Sequence, residues 1–263
     1  MQKLNIFNLE GDKIGTIESP TILETNPRVD IIRKASEVSQ SRRTQPQGRR
    51  LDAGLKTTAE GWGTGHALSR APRIKGSGFP TARNVGRVPF AKGGRRTHPI
   101  KANKNIKKKL NKKAKRLAIV SAISASSNSE WIKKRGHIID KVPQIPLIID
   151  DKIQTIKKTS QIHRTLCNLG FNEELLRIKN KYNKIRAGKG KRRGRKYKNA
   201  KSILIIIKED FGIFKAARNI PGVDVVLIEN LSINDLAPGG QPGRAIIWTQ
   251  SAFNELNYLE VYN

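Results

Sequence analysis

One cysteine in 263 residues, Cys167, excludes an intramolecular disulfide and fits a reducing compartment. No apolar run approaches the roughly twenty residues of a membrane span, and the opening MQKLNIFNLEGDK has no signal-peptide pattern, so a soluble intracellular protein is expected. With only four histidines, metal ligands are scarce. His163 and Cys167, four apart on one predicted helix, would make half a zinc site, but His66, His98 and His137 lie in distant loops. Acids are scarce too: 21 Asp and Glu stand against 52 Lys and Arg, a net charge of +31. Such a chain suits nucleic acid or an anionic membrane surface better than an acidic small substrate, because counterion release rewards neutralising many phosphates.

The shortage of acid is uneven. Between Ser41 and Arg116 there are 22 Lys and Arg against only Asp52 and Glu60, and between 179 and 201 there are twelve bases and no acid. Residues 1–40 hold five bases and six acids, and the remainder balances. Near-neutral folding segments with two cationic ones predict one ordinary domain carrying two polyanion-binding appendages.

Alternating Leu4, Ile6 and Leu9, then Gly11-Asp12, then Ile14 and Ile17 predict a strand, a turn and a strand. Val29, Ile32, Ala35 and Val38 keep helical spacing. From Thr44 to Pro99 neither period survives, and Gly and Pro recur, so a long extended loop is expected, inserted in a globular domain of residues 1–43 and 100–263. Without apolar periodicity, that loop is expected not to fold against itself. Ile106, Leu110, Ala114, Leu117, Val120 and Ile123 predict a helix over Asn105–Ser127, its first half basic and its second half apolar. Beyond it, apolar runs at Ile145–Ile149, Ser202–Ile207, Val223–Ile228 and Ala245–Trp248 alternate with helical patterns, one of them closed by Gly170. The fold class this predicts is α/β, with a mainly parallel sheet flanked by helices.

Carboxylates follow several of these strands: Asp150 and Asp151, Glu209 and Asp210, and Glu229. They could hold a magnesium ion, but capping of the helices that follow is the simpler expectation. The glycines of GWGTG (61–65) and GKGKRRG (188–194) match neither a dinucleotide fingerprint nor an ATP loop. In a cationic segment they let backbone approach phosphates, while Trp62, Phe79 and Phe90 among the bases suit stacking on unpaired RNA bases.

The runs GWGTGHALSRAPR (61–73), AKGGRRTHP (91–99), NKKAKRLAIVSAISASS (111–127), ARNIPGV (217–223) and NLSINDLAPGGQPGRAIIWTQSAF (230–253) together resemble large-subunit ribosomal protein four in its archaeal and eukaryotic form. The likeness spans nearly the whole chain in order. It implies a structural protein rather than an enzyme, without cofactor, bound to large-subunit ribosomal RNA early in assembly and touching several RNA domains. Its long loop would line part of the polypeptide exit tunnel beside large-subunit protein twenty-two, in the cytoplasmic ribosome and away from any membrane. Matching the family's loop tip selects Gly63, Thr64, Gly65, His66, Ser69 and Arg70. In the loop's first arm, RNA contacts are expected from Arg42, Arg43, Arg49, Arg50, Lys56 and Trp62, and toward the tip from Arg73 and Lys75. In the returning arm they are expected from Arg83, Arg87, Lys92, Arg95, Arg96 and His98. The helix adds Lys112, Lys113 and Arg116, and the second basic run adds Lys189, Lys191, Arg192, Arg193 and Arg195. The competing readings are an RNA-modifying enzyme, which would need a cofactor fingerprint after a strand, and a free architectural binder or assembly factor that leaves the mature particle.

Overall fold

A computed structural model of the chain describes residues 3–260. β1 (Lys3–Phe7) and β2 (Lys13–Glu18) make the expected antiparallel pair, and α1 (Val29–Ser41) buries Ile32 and Ala35. After residues 41–107 come α2 (Lys112–Ser127), α3 (Ser129–Arg135), β3 (Leu147–Ile149), α4 (Thr159–Asn168) and α5 (Asn172–Lys181). A short hairpin of β4 (Lys184–Ile185) and β5 (Tyr197–Lys198) leads into β6 (Leu204–Ile207), α6 (Ile213–Ala217) and β7 (Asp224–Leu227). The chain continues through α7 (Ile233–Leu236) and β8 (Ile246–Thr249) into α8 (Gln250–Glu260).

Six strands form one sheet in the order β2-β1-β3-β8-β6-β7, parallel except for the β1–β2 pair. The two-residue period of a strand turns alternate side chains to opposite faces. Leu147, Ile149, Ile205 and Ile207 therefore pack on one side with Ile162 and Leu166 of α4 and Ile213 of α6. On the other side Ile148, Leu204, Ile206 and Trp248 pack with Ile32 of α1, Ile123 of α2 and Phe253 of α8. Helices cover both faces, so the strands can be apolar throughout, as parallel strands usually are.

α2 begins at Lys112, seven residues later than the apolar spacing predicts. Its first turn has no acid, and lysines there oppose the positive end of the helix dipole. Three further lysines at 107–109 would crowd onto the same end if the helix ran back to Asn105. Asn111 instead takes an extended backbone, φ −62° and ψ 147°, and Lys108 pairs with Glu37 at 2.8 Å.

Gly170 ends α4 as expected. With φ +87°, its N–H donates to the Cys167 carbonyl at 3.0 Å and the next N–H, of Phe171, donates to Leu166 at 3.0 Å. This closes the helix in a Schellman motif. A Cβ at Gly170 would lie 2.2 Å from the Lys141 carbonyl oxygen, whereas one at Gly136, which ends α3 with φ +95°, would meet open space.

Two clusters tie down the chain just after it leaves the β4–β5 hairpin. Glu174 of α5 is fully buried and accepts from Arg177 Nε and Nη2 at 2.7 and 2.6 Å, from the Ile138 N–H at 3.0 Å and from the Ser202 hydroxyl. His137 Nδ1 lies 2.7 Å from the same carboxylate. Beyond the hairpin, buried Arg244 donates to the carbonyls of Ser202, Asp235 and Ile203 and pairs with Asp224, which Lys201 also engages at 2.6 Å. Burial alone would raise the Glu174 pKa, but hydrogen bonds from Arg177, His137 and Ser202 outweigh it and hold the carboxyl at about 2, below its ordinary 4.5. Burial lowers the His137 pKa below 6.5 against the pull of Glu174, so the ring is neutral and donates its Nδ1 proton.

Both depressed values act with one sign. The stabilisation from Glu174 is complete above pH 4.5 and is lost as pH falls toward about 2, while His137 resists protonation from about pH 6.5 downward. Glu174→Gln is expected to cost about 2 kcal/mol at pH 7. Its melting temperature should also fall less than that of the unaltered chain between pH 5 and roughly pH 2.5 in a thermal-melt series; parallel falls would remove Glu174 as an acid-sensitive clamp. Gly136→Ala should cost roughly 1–2 kcal/mol of backbone strain alone. Gly170→Ala should cost clearly more in the same denaturant titration, because the Lys141 carbonyl must also move; equal losses would contradict the close approach.

Candidate nucleic-acid interface

The chain divides into two compact units, residues 41–107 and the remainder. Within 42–107 there is no helix or strand, as the missing periodicity implies, but the segment does bond to itself. This corrects the expectation that it cannot. Glu60 and Arg73 exchange both backbone hydrogen bonds at 3.0 and 2.9 Å, and Ile74 and Arg83 N–H groups reach the Asn84 and Ile74 carbonyls at 2.9 and 3.1 Å. Further back, Arg95 N–H donates to Arg87 and Arg49 N–H to Ile100. The two arms close together because glycine permits it: a Cβ on Gly54 would lie 2.5 Å from the Gly94 carbonyl carbon. Isolated turns with β-bridge contacts satisfy the backbone where apolar patterning is too weak to specify a sheet.

The Glu60–Arg73 pair closes a turn holding every tip residue selected by resemblance. Arg73 organises its base. One guanidinium nitrogen donates to the Arg83 carbonyl at 3.1 Å, another to the Ser69 hydroxyl at 3.3 Å, and the group lies 6.0 Å from the Trp62 ring centre. Trp62 in turn meets His66 edge-on at 5.6 Å. Trp62 and Arg73 are therefore half-buried, while Gly63, Thr64, Gly65, His66, Ser69 and Arg70 are exposed. Leu68, Phe79 and Phe90 also face outward, Phe90 with 78% of its surface exposed.

Arg42, Arg43, Arg49, Arg50, Lys56, Lys75, Arg83, Arg87, Lys92, Arg95, Arg96 and His98 are all exposed. The two acids are already engaged, Asp52 by Arg50 and Lys56 and Glu60 by Lys75. Among the described residues the other bases of 41–107 have no acidic partner. Lys112, Lys113 and Arg116 project from the first turns of α2, exposed, while the helix buries Ala118 and Val120 through Ser126.

The second basic run is a built hairpin. Lys184 pairs with Lys198 and Ile185 with Tyr197, the Arg186 N–H donates to Lys196 at 2.9 Å, and Gly194 turns the chain with φ +77°. Lys189, Lys191, Arg192, Arg193 and Arg195 lie exposed around the turn. No base from 184 to 198 has an acidic partner among the described residues. Two contributors escape sequence reasoning here, Ile185 and Tyr197, whose only signal is one apolar residue among bases on each arm.

Two of the five strand-end carboxylates are engaged at helix starts. Asp151 accepts from the Ser251 N–H and hydroxyl at 3.0 and 2.7 Å where α8 begins, and Asp210 accepts from the Gly212 and Phe214 N–H groups at 2.9 and 3.2 Å where α6 begins. Among the described residues no three His, Cys, Asp or Glu side chains converge as metal ligands, and Cys167 Sγ has only His163 Nδ1 at 3.6 Å and Asn172 Oδ1 at 3.9 Å. No helix of the described residues is long and apolar enough to cross a membrane.

A family model described as the ribosomal protein L4/L1 family matches residues 17–259. The chain is 41% identical over 251 residues to large ribosomal subunit protein uL4 of Methanopyrus kandleri, covering 95% of this chain and 96% of the relative. It is 42% identical over 259 residues to uL4 of Methanosphaera stadtmanae, covering 98% of each, and 40% identical over 256 residues to that of Methanococcus aeolicus, covering 97% and 98%. With its mainly parallel α/β sheet, its two exposed, acid-poor segments and these matches over nearly its full length, the chain belongs to the ribosomal protein L4/L1 family.

Proposed function

We propose that this chain is a structural, non-catalytic component of the large ribosomal subunit in the cytoplasm, binding large-subunit ribosomal RNA through its two basic segments. The observation that carries the reading is charge without a partner: exposed bases crowd onto 41–107 and 184–198, and the few acids present are already engaged. Phosphate is the counter-charge such a surface fits, and each neutralised phosphate releases counterions. The aligned relatives, named as large-subunit proteins over nearly their full length, support the same assignment.

Within that reading, residues 44–99 are the RNA-binding insertion in a globular domain of 1–43 and 100–263. The arms anchor early in assembly by phosphate contacts to several RNA domains. The tip from Gly63 to Arg70 lines part of the peptide exit tunnel, beside large-subunit protein twenty-two. The division of labour follows the residue types: Arg49, Arg95 and Arg96 carry charge without a side-chain bond inside the unit, whereas the tip presents Gly, Thr, Ala, Leu and Ser around His66. The alternative of an RNA-modifying enzyme is not favoured, since it would need a cofactor fingerprint after a strand, and Asp151 and Asp210, two of the carboxylates that would hold a metal, are engaged at helix starts.

Deleting Thr64–Ser69 is expected to leave the yield of large subunits on sucrose gradients close to normal while changing ribosome stalling in profiling experiments. Replacing Arg49, Arg95 and Arg96 with Ala should instead cut subunit yield severalfold. A tip deletion that abolishes assembly as completely as the charge replacement would refute the division.

A further inference from the structure

We propose that the β4–β5 hairpin is a stacking module, with Tyr197 and Ile185 forming a platform for an unpaired RNA base while the surrounding bases hold its flanking phosphates. The proposal rests on the RNA-binding reading above and adds the chemistry of the contact. Ile185 and Tyr197 are register partners on adjacent strands, so their side chains share one face of the ribbon, and both are exposed, 60% and 46%. Lys184 and Lys198, the neighbouring pair, fall on the opposite face. The ribbon is thus apolar on one side and cationic on the other.

A two-stranded ribbon with two paired residues per strand is marginal alone, and an exposed aromatic–aliphatic pair at its centre adds surface that water disfavours. The occupant follows from charge. Twelve bases and no acid lie between 179 and 201, and among the described residues no base from 184 to 198 is ion-paired. Lys196 Nζ lies over the Tyr197 ring, 5.4 Å from its centre, so it covers one ring face in the free chain and leaves the other for a base, with a phosphate-seeking group at the stacking surface. Paired bases in an A-form duplex are stacked and recessed, whereas an unpaired base offers its face to an aromatic ring. The contacts of Glu174 with Ser202 and of Asp224 with Lys201 tie down the chain just beyond β5, which limits the ordering left when the contact forms.

The test uses the full chain and a large-subunit ribosomal RNA transcript, with affinity measured across a salt series for Tyr197→Phe, Tyr197→Leu and the triple change of Arg192, Arg193 and Arg195 to Ala. Stacking predicts that Tyr197→Phe binds as the unaltered chain does. Tyr197→Leu should lose roughly tenfold at every salt concentration with no change in slope. The triple change should flatten the slope by about 0.7–0.9 per lost phosphate contact. Equal affinity of the Leu and Phe variants, with the triple still flattening the slope, would overturn stacking and leave phosphate anchoring in place. An unchanged slope in the triple would remove the hairpin from the RNA altogether. If Tyr197→Leu spares RNA affinity but lowers incorporation into subunits, the platform meets protein and the proposal fails. Unchanged thermal melting of each variant guards against a folding defect.

Discussion

The acids of this chain are too few and wrongly placed to neutralise its bases, so most of the positive charge must find its counter-charge outside. Like charges held close in a low-dielectric interior repel strongly, and a lone buried cation is costlier still. The basic runs are accordingly excluded from the core. The large base buried there, Arg244, is tolerated because three carbonyls and Asp224 meet its guanidinium. What remains for the core is near-neutral and aliphatic, and it settles into a parallel sheet covered on both faces.

The two cationic appendages solve the same problem differently. The hairpin at 184–198 is short, and the chain that leaves it is tied to the core at Ser202 by Glu174 and Arg244. The 41–107 unit has almost no buried apolar surface, Ala59 being an exception, and relies on backbone bonds, close glycine contacts and the Arg73–Trp62–His66 cluster. Such a unit has few contacts to lose on opening, which places it at the low-stability end of the molecule.

Much of the sheet was legible because β3, β6 and β8 are uninterrupted β-branched or apolar runs, β7 is one broken only by Asp224, and Gly170 stands where a helix must reverse. The start of α2 was not, since Ile106 and Leu110 continue the apolar period while the lysines beside them oppose the helix dipole, and spacing alone carries no charge. The self-pairing of 41–107 was illegible for a related reason: it depends on backbone bonds across glycine contacts, which leave no hydrophobic pattern. Arg244 reads as one more surface base in a Gly-Pro turn, and Glu174 as one more helix acid; only tertiary neighbours reveal them as clamps. Charge, by contrast, is visible at once, and every candidate base outside the tip cluster lies exposed.

If external phosphate is what completes this molecule, binding should alter the two basic segments and spare the sheet. Amide hydrogen exchange on the full chain, with and without a large-subunit ribosomal RNA transcript, measures this directly. The expected result is slowed exchange across 41–107 and 184–198 with β3, β6 and β8 unchanged. Slowing confined to the sheet, or absent from both basic segments, would contradict the account.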